Sequence, residues 1–318
     1  MRPAILIHGP TASGKTQLAI ALSRSVDGEI INADAMQCYR DLRVLTARPD
    51  ADELASAPHH LFGHVDAAIR HSAGDWSREA MSEILRLQER DKTPILVGGT
   101  GLYLMSLTEG LSEIPTIPEA VRRQARAIVA GDPSSAWARL EAGDPQSARR
   151  IDPADRQRIA RALEVLLATG RPLSQFHGRA LPQLSSDGWL GIALTPPRET
   201  VYKRIDKRVD DMMRAGALEE ARQLWMRGLD SDLPVMRAHG MPGFCDFFEA
   251  RASLADAVER CKRDTRRYAK RQMTWIAHQF TLWTRIPSED PALRARVITD
   301  MWIEAASRRS PATQAGVC

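Results

Sequence analysis

The stretch Gly9-Pro10-Thr11-Ala12-Ser13-Gly14-Lys15-Thr16 decides the fold, because it fits the phosphate-loop pattern G-x-x-x-x-G-K-[ST]. The apolar residues 4–8 predict a buried strand before it, and residues 17–22 predict the first turns of a helix after it. Such a loop points backbone N–H groups and a helix N-terminus at an anion. Lys15 adds a full charge, and the Thr16 hydroxyl is a candidate Mg²⁺ ligand. The pattern predicts a site for an oligophosphate with Mg²⁺, without specifying which oligophosphate.

Short apolar strands alternate with helical stretches through the first third of the chain. Residues 29–33 and 94–97 are typical of buried strands, and residues 75–90 and 102–107 have helical spacing. Strands that alternate with helices predict an α/β fold with a parallel sheet, here of the P-loop NTPase type.

The sequence pattern changes near residue 112, where a linker that contains prolines begins. Residues 119–169 are helical in pattern and broken at Asp-Pro pairs, and residues 191–194 look like a strand that returns to the sheet. The sequence therefore predicts a P-loop α/β core with C-terminal helices at 1–112 and 186–318, and a helical insertion domain at 113–185.

Composition restricts the class of protein. The chain of 318 residues is 43% hydrophobic and 26% charged, which is ordinary for a globular enzyme. No segment approaches the roughly 20 apolar residues of a membrane span, and the N-terminus does not fit a signal peptide. The four cysteines form no C-x-x-C pair and the histidines form no ligand pattern, which argues against a zinc site. We expect a cytoplasmic protein that does not bind membranes.

Polar side chains follow the second and third predicted strands. Asp34 comes after the second, and Thr100 lies in Gly98-Gly99-Thr100-Gly101 after the third. Because parallel strands end at one edge, both are expected near the phosphate loop. Asp34 fits a general base, a water-mediated Mg²⁺ ligand or a turn residue, and the amide of Gln37 can pair with a base edge. The third strand lacks the terminal Asp of P-loop ATPases, which argues against a nucleotide hydrolase.

Basic side chains recur at helical spacing near the C-terminal end. They form two rows four residues apart, Lys262, Arg266 and Lys270 beside Arg263, Arg267 and Arg271. A smaller cluster lies in the insertion, at Arg149, Arg150, Arg156, Arg158 and Arg161. Such stripes predict contact with a nucleic-acid backbone, although a solvated surface is the alternative. Arg204 and Arg208 share another helix face and could contact a diphosphate or form salt bridges.

Several segments, taken in their order along the chain, resemble the tRNA dimethylallyltransferase family, also called tRNA isopentenyltransferase. The resemblance covers nearly the whole chain, at residues 9–16, 32–39, 46–49, 58–61, 98–103, 144–145, 155–159, 161–165 and 267–275. It implies transfer of the dimethylallyl group from dimethylallyl diphosphate to N6 of adenine 37, beside the anticodon, in tRNAs that read codons beginning with U.

The resemblance also implies roles for individual residues. The phosphate loop, residues 9–16, would hold the diphosphate of the prenyl donor, with Mg²⁺ at Thr16. Asp34 would be the general base, and Thr100 with Arg204 or Arg208 would contact the diphosphate or the reacting end. The implied contacts to the tRNA anticodon stem-loop are Asp34, Ala35, Met36, Gln37, Thr100, Arg122, Gln157, Arg158, Arg161, Arg266, Arg267, Lys270 and Arg271.

Two segments depart from the family pattern. Residues 237–243 lack the family's usual Gly-Tyr-Lys/Arg run, so a tRNA contact is not carried over there, and residues 42–45 lack the usual glycine. The absence of a C-terminal Cys/His zinc module indicates a bacterial type, which we expect to be a monomer. Two alternatives remain from the residues alone: a P-loop small-molecule kinase that uses ATP, and a non-catalytic nucleotide-dependent RNA-binding protein.

Overall fold

The computed structural model describes residues 2–176, 178 and 180–308 of the chain. The chain divides into two compact units, Met1–Thr108 with Gln183–Cys318, and Glu109–Pro182. We call these the core unit and the insertion unit. The boundaries expected from the sequence, after residues 112 and 185, lie a few residues further along the chain.

The core unit is built on a parallel sheet. Its six strands follow the order β3-β2-β4-β1-β5-β6, and each neighbouring pair runs in parallel. The strands are β1 (Ala4–His8), β2 (Gly28–Asn32), β3 (His59–His60), β4 (Thr93–Gly98), β5 (Trp189–Leu194) and β6 (Thr284–Ile286). The predicted α/β fold with a parallel sheet is confirmed, while the short strands β3 and β6 were not predicted.

Both faces of the sheet are buried, which is why its strands read as unbroken apolar runs. Ile5 and Ile7 of β1 pack on one face, in a cluster with Leu18, Leu22 and Trp302. The alternate residues of the same strand belong to a larger cluster on the other face, which contains Trp76, Tyr103 and Phe280. The sheet edge that carries the strand C-termini is therefore held rigidly from both sides.

The helices of the core unit cover these two faces. They are α1 (Lys15–Ser25), α2 (Ala51–Ser56), α3 (Ala73–Glu89), α4 (Gly101–Thr108), α9 (Arg198–Arg214), α10 (Ala217–Met226), α11 (Met241–Phe248), α12 (Leu254–His278) and α13 (Pro291–Arg308). Helix α3 begins before the predicted residue 75 because Ser72 and Asp75 form a capping box. The glycine-rich turn after β4 is shorter than predicted, since Gly98 still belongs to the strand and Gly101 already to α4.

The insertion unit contains α5 (Glu119–Gly131), α6 (Pro133–Gly143), α7 (Pro145–Ala148) and α8 (Arg156–Thr169). Two of its three Asp-Pro pairs start helices: the Asp132 carboxylate caps α6 and the Asp144 carboxylate caps α7, each with proline at the first helical position. Aliphatic residues, including Ala125, Leu140 and Ile159, form its core. No helix among the described residues of either unit is long and apolar enough to cross a membrane.

Candidate active site

Three loops of the core unit meet at the C-terminal edge of the sheet. They follow β1, β2 and β4, and these strands are neighbours in the order β2-β4-β1. The phosphate loop therefore lies one strand from Thr100 and two strands from Asp34. In open parallel sheets this edge is where ligands bind.

The phosphate loop adopts the conformation that its sequence requires. Gly14 has a φ of 84° directly before α1, a left-handed value that favours glycine. The Lys15 ammonium curls back into the loop and donates to the carbonyls of Gly9 at 2.9 Å and Pro10 at 2.7 Å. The buried Ser13 hydroxyl oxygen has no hydrogen-bond partner among the described residues. The loop thus combines a cation with an unsatisfied polar atom, as suits an anion site.

The electrostatics of Lys15 connect the loop to its neighbours. Burial lowers the pKa of Lys15 to about 7, the charge of Asp34 acts in the opposite direction, and that of Arg208 lowers it further. These effects place Asp34 and Arg208 within electrostatic reach of the ammonium. An anion bound there would raise the Lys15 pKa again.

Asp34 and Thr100 are fixed by backbone hydrogen bonds. Asp34 Oδ1 accepts from the Met36 N–H at 3.0 Å, and Thr100 Oγ1 accepts from the Ala35 N–H at 3.0 Å. A Cβ atom on Gly99 would lie 3.2 Å from Asp34 Oδ2, so the two loops are in close contact. No hydrogen bond to Oδ2 is found within the described residues, so this oxygen is available to a substrate.

Arg204 and Arg208 occupy different environments, although they share a face of α9. Arg208 Nη1 donates to Thr11 Oγ1 of the phosphate loop at 3.3 Å, and burial lowers the pKa of its guanidinium. Arg204 pairs instead with Glu289 at 3.0 Å, and 44% of its side chain is exposed. Of the two, the structure brings Arg208 to the loop.

Gln272 of α12 joins two of the three loops. The sequence did not predict this residue as part of the site. Its Oε1 accepts from the Thr11 N–H at 2.8 Å, and its Nε2 donates to the Gly99 carbonyl at 2.8 Å. The residue is 4% exposed. A signal was present in the sequence, because Gln272 follows Tyr268 by one helical turn on the apolar side of α12.

Arg294 of α13 supports the phosphate loop through a backbone carbonyl. The sequence did not predict this residue either. Its Nη1 donates to the Ser13 carbonyl at 2.8 Å, while the residue is only 2% exposed. Burial, together with nearby Arg204, lowers its pKa, and Glu289 acts in the opposite direction. Nothing in the sequence pattern of α13 separates this arginine from a surface residue.

The predicted basic stripe on α12 divides into two rows with different partners. In the first row, Lys262 pairs with Asp210 at 2.8 Å and Arg266 pairs with Asp206, both on α9. In the second row, Arg263 and Arg267 lie near Asp264 at 3.9 and 3.6 Å and are mostly exposed. The first row therefore fastens α12 to α9, and the second row faces solvent. Lys270 of the first row is exposed as well.

A cavity of about 240 Å³ opens beside the second row. Four arginines line it, together with His239 of the segment that departs from the family pattern; they are Arg237, Arg260, Arg267 and Arg271. The His239 ring lies 4.7 Å from that of Tyr268. Burial and the charge of Arg271 lower the pKa of His239, while Asp34 acts in the opposite direction.

Other predicted tRNA contacts have mixed environments. The Gln37 amide nitrogen donates to the carbonyls of Thr46 and Ala47, at 3.0 Å each, so it is used within the protein. Ala35 and Met36 are half-buried in the loop after β2. In the insertion unit, Arg158 and Arg161 form ion pairs on α8 at 3.3 Å each, with 70% and 41% of their side chains exposed. Gln157 is exposed on the same helix, and Arg122 lies half-buried on α5.

Comparison with known proteins identifies close relatives. The family model for IPP transferase matches residues 37–279. A tRNA dimethylallyltransferase from Hyphomonas neptunium is 52% identical, over 96% of this chain and 97% of its own length. Another from Maricaulis maris is 46% identical, over 95% of this chain and 98% of its own.

Two solved structures are also similar to this chain. The tRNA isopentenylpyrophosphate transferase of Bacillus halodurans superposes with a TM-score of 0.70 at 31% identity, covering 99% of this chain and all of its own. A eukaryotic dimethylallyltransferase acting on tRNA gives a TM-score of 0.77 at 30% identity, over 97% of this chain and 77% of its own.

Proposed function

The chain belongs to the IPP transferase family, whose matched relatives are tRNA dimethylallyltransferases, and on that basis we propose its specific reaction. It transfers the dimethylallyl group of dimethylallyl diphosphate to N6 of adenine 37, beside the anticodon, in tRNAs that read codons beginning with U. The products are N6-dimethylallyladenosine and diphosphate. The family match decides against the kinase and the non-catalytic RNA-binding protein.

Stabilisation of the leaving group is the main task of the phosphate loop. As the allylic C–O bond breaks, its electron pair stays on the bridging oxygen and negative charge grows on the diphosphate. Lys15 and Arg208 supply cations there, and the loop supplies backbone N–H groups. We assign the diphosphate contacts to residues 9–16 and to Arg208 rather than to Arg204, which is paired with Glu289.

Mg²⁺ fits the chemistry of this loop. The half-buried Thr16 hydroxyl in the first turn of α1 is a single hard oxygen ligand, and Mg²⁺ typically takes its other ligands from phosphate oxygens and water. The ion would supply further charge neutralisation for the diphosphate when bound.

Asp34 acts as the general base in this proposal. The exocyclic amine of adenine is a poor nucleophile because its lone pair is delocalised into the ring. As N6 forms its bond to the allylic carbon, one N6 proton passes to Asp34 Oδ2, which has no hydrogen bond from the described residues. Thr100, held beside Asp34 through the Ala35 N–H, orients the reacting end.

The tRNA anticodon stem-loop contacts exposed basic groups and, beside them, the neutral amide of Gln157. Arg267, Lys270 and Arg271 on α12 face solvent, as do Gln157 and Arg158 on α8 of the insertion unit. Cations of this kind neutralise backbone phosphates. Adenine 37 leaves its stack to reach Asp34. We propose that the protein works as a monomer in the cytoplasm.

One observation carries the proposal: Arg208 bonds the phosphate loop at Thr11, and Asp34 lies against Gly99, which Gln272 joins to the same Thr11. The test measures prenyl transfer from labelled dimethylallyl diphosphate to an anticodon stem-loop with three consecutive adenosines. We expect transfer by the wild type and a loss on the order of 10²-fold or more in Asp34→Ala and Asp34→Asn.

The matched control is Asp52→Asn, at an exposed carboxylate of α2, which should retain full activity. Absence of transfer by a wild type that binds the RNA in Mg²⁺ would overturn the reaction. Full activity of Asp34→Asn would overturn the assignment of the base alone.

A further inference from the structure

Two histidines and a glutamate converge beside the loop that follows β2, where Val65 pairs with Tyr39 and the His71 N–H donates to the Tyr39 hydroxyl. His64 Nε2 lies 2.9 Å from Glu79 Oε2, and His71 Nε2 lies 3.1 Å from the same oxygen. The ligand atoms of all three side chains lie within 4.8 Å of one another. Because His64 and His71 belong to the connection between β3 and α3 and Glu79 to α3, no short sequence motif marks the group.

The two Nε2 contacts have hydrogen-bond lengths, and they also bring three atoms that can ligate a metal close together. Two imidazoles direct the same ring nitrogen at one carboxylate oxygen, while the opposite nitrogen, Nδ1, of each ring is buried without a partner among the described residues. The convergence of two Nε2 atoms on one oxygen is what a shared cation would produce.

We propose that His64, His71 and Glu79 bind a divalent transition-metal ion of the zinc class. Zinc–ligand bonds of about 2.0–2.2 Å place ligand atoms of a tetrahedral site about 3.3 Å apart. The two Nε2–Oε2 separations of 2.9 and 3.1 Å need to open by only a few tenths of an ångström, and the two Nε2 atoms lie within 4.8 Å of each other. Two imidazoles with one carboxylate also select zinc-class ions over Mg²⁺, which prefers oxygen ligands alone.

Exposure of the group agrees with a site that exchanges its ion. The His64 and Glu79 side chains are 30% and 38% exposed, whereas that of His71 is 5% exposed. A fourth position is therefore open to water. Within the described part of the chain, neither Nδ1 atom has an acceptor to orient its ring, so binding should be about 10- to 100-fold weaker than at a site with such partners.

The proposed ion has a structural consequence. It would join the connection after β3 to α3, at the place where Val65 pairs with Tyr39 and the His71 N–H donates to the Tyr39 hydroxyl at 3.3 Å. The site shares no residue with the phosphate loop, so it is distinct from the Mg²⁺ position proposed at Thr16.

The test uses the full chain without an affinity tag, with Zn²⁺ and Co²⁺ as probes. Calorimetry with Zn²⁺ in excess Mg²⁺ should show one saturable ion per chain. Bound Co²⁺ should give the visible absorption of a low-coordinate nitrogen–oxygen site, without the near-ultraviolet band of thiolate ligands. This second readout separates the proposed site from cysteine binding in the wild type itself.

The variants His64→Gln and Glu79→Gln should bind at least about 10-fold more weakly, since losing a ligand costs no less than losing its supporting partner. The matched control is His278→Gln, at an exposed histidine that ends α12, and its affinity should be unchanged. Absence of saturable binding, a thiolate band, or equal affinity in all variants would each overturn the proposal.

Discussion

Gln272 Oε1 accepts a hydrogen bond from the backbone N–H of Thr11 at 2.8 Å. The same carboxamide donates from Nε2 to the carbonyl of Gly99, so one buried side chain of α12 connects the phosphate loop with the loop that carries Thr100. The position of the leaving-group site relative to Thr100 therefore depends on a helix near the C-terminal end of the chain.

Replacing this carboxamide should weaken both stability and donor binding. Gln272→Leu leaves the Thr11 N–H without its partner, at a cost of about 1–3 kcal/mol, and leaves the Gly99 carbonyl with only the Tyr268 hydroxyl at 3.2 Å. Urea unfolding should show a lower midpoint, and KM for dimethylallyl diphosphate should rise. Gln279→Leu, at an exposed glutamine just after α12, is the control. Equal midpoints and equal KM values for the two variants would contradict the role given to Gln272.

The two arginines of α9 should differ sharply in their effect on catalysis. Arg208→Gln removes a buried cation next to Thr11, and we expect kcat to fall on the order of 10²–10³-fold, as for other groups that stabilise developing charge. Arg204→Gln breaks an exposed ion pair with Glu289, worth at most about 1 kcal/mol. Single-turnover prenyl transfer measures both variants, and a larger loss in Arg204→Gln would reverse the assignment.

Binding of the prenyl donor should take up a proton at mildly alkaline pH. Free Lys15 has a pKa of about 7 and is mostly neutral near pH 8, whereas a bound diphosphate raises that pKa and favours the ammonium. Below about pH 6 the lysine is already charged, so donor binding no longer takes up a proton there. Calorimetry in buffers of different ionisation enthalpy counts the protons. Lys15→Arg, which stays charged, should abolish the uptake; buffer-independent heats for the wild type near pH 8 would refute the linkage.

RNA binding should depend on the solvent-facing row of α12 more than on the paired row. Arg267→Gln and Arg271→Gln should each reduce the slope of log K against log salt by about 1. Lys262→Gln is the control, since Asp210 and Glu259 already hold that ammonium at 2.8 and 3.4 Å. If the RNA affinity of the wild type stayed constant between low and moderate salt, the proposed interface would be wrong.

The sequence predicted those parts of the fold that depend on local pattern. The predicted strand at residues 4–8 matches β1, because a continuous apolar run before a phosphate loop allows few other structures. Strands β3 and β6 were missed because His59–His60 and Thr284–Ile286 are too short and too polar to show a pattern. They form strands because neighbouring strands offer them partners.

The candidate site was predictable only where a motif or a strand end marked it. Lys15 and Asp34 stood out for that reason. Gln272, Arg294 and the group around Glu79 act through contacts between distant segments, and single-residue chemistry does not mark them. Arg204 and Arg208 share a helix face in sequence, and only the packing of α9 separates their surroundings.

The phosphate loop is supported by residues that are synthesised long after it. Thr11 meets a partner 261 residues later in the chain, and Ser13 meets one 281 residues later. The loop therefore leaves the ribosome long before its supports from α12 and α13. A nascent chain thus carries the phosphate-loop sequence long before it carries the supported loop, so incomplete chains should not sequester the prenyl donor.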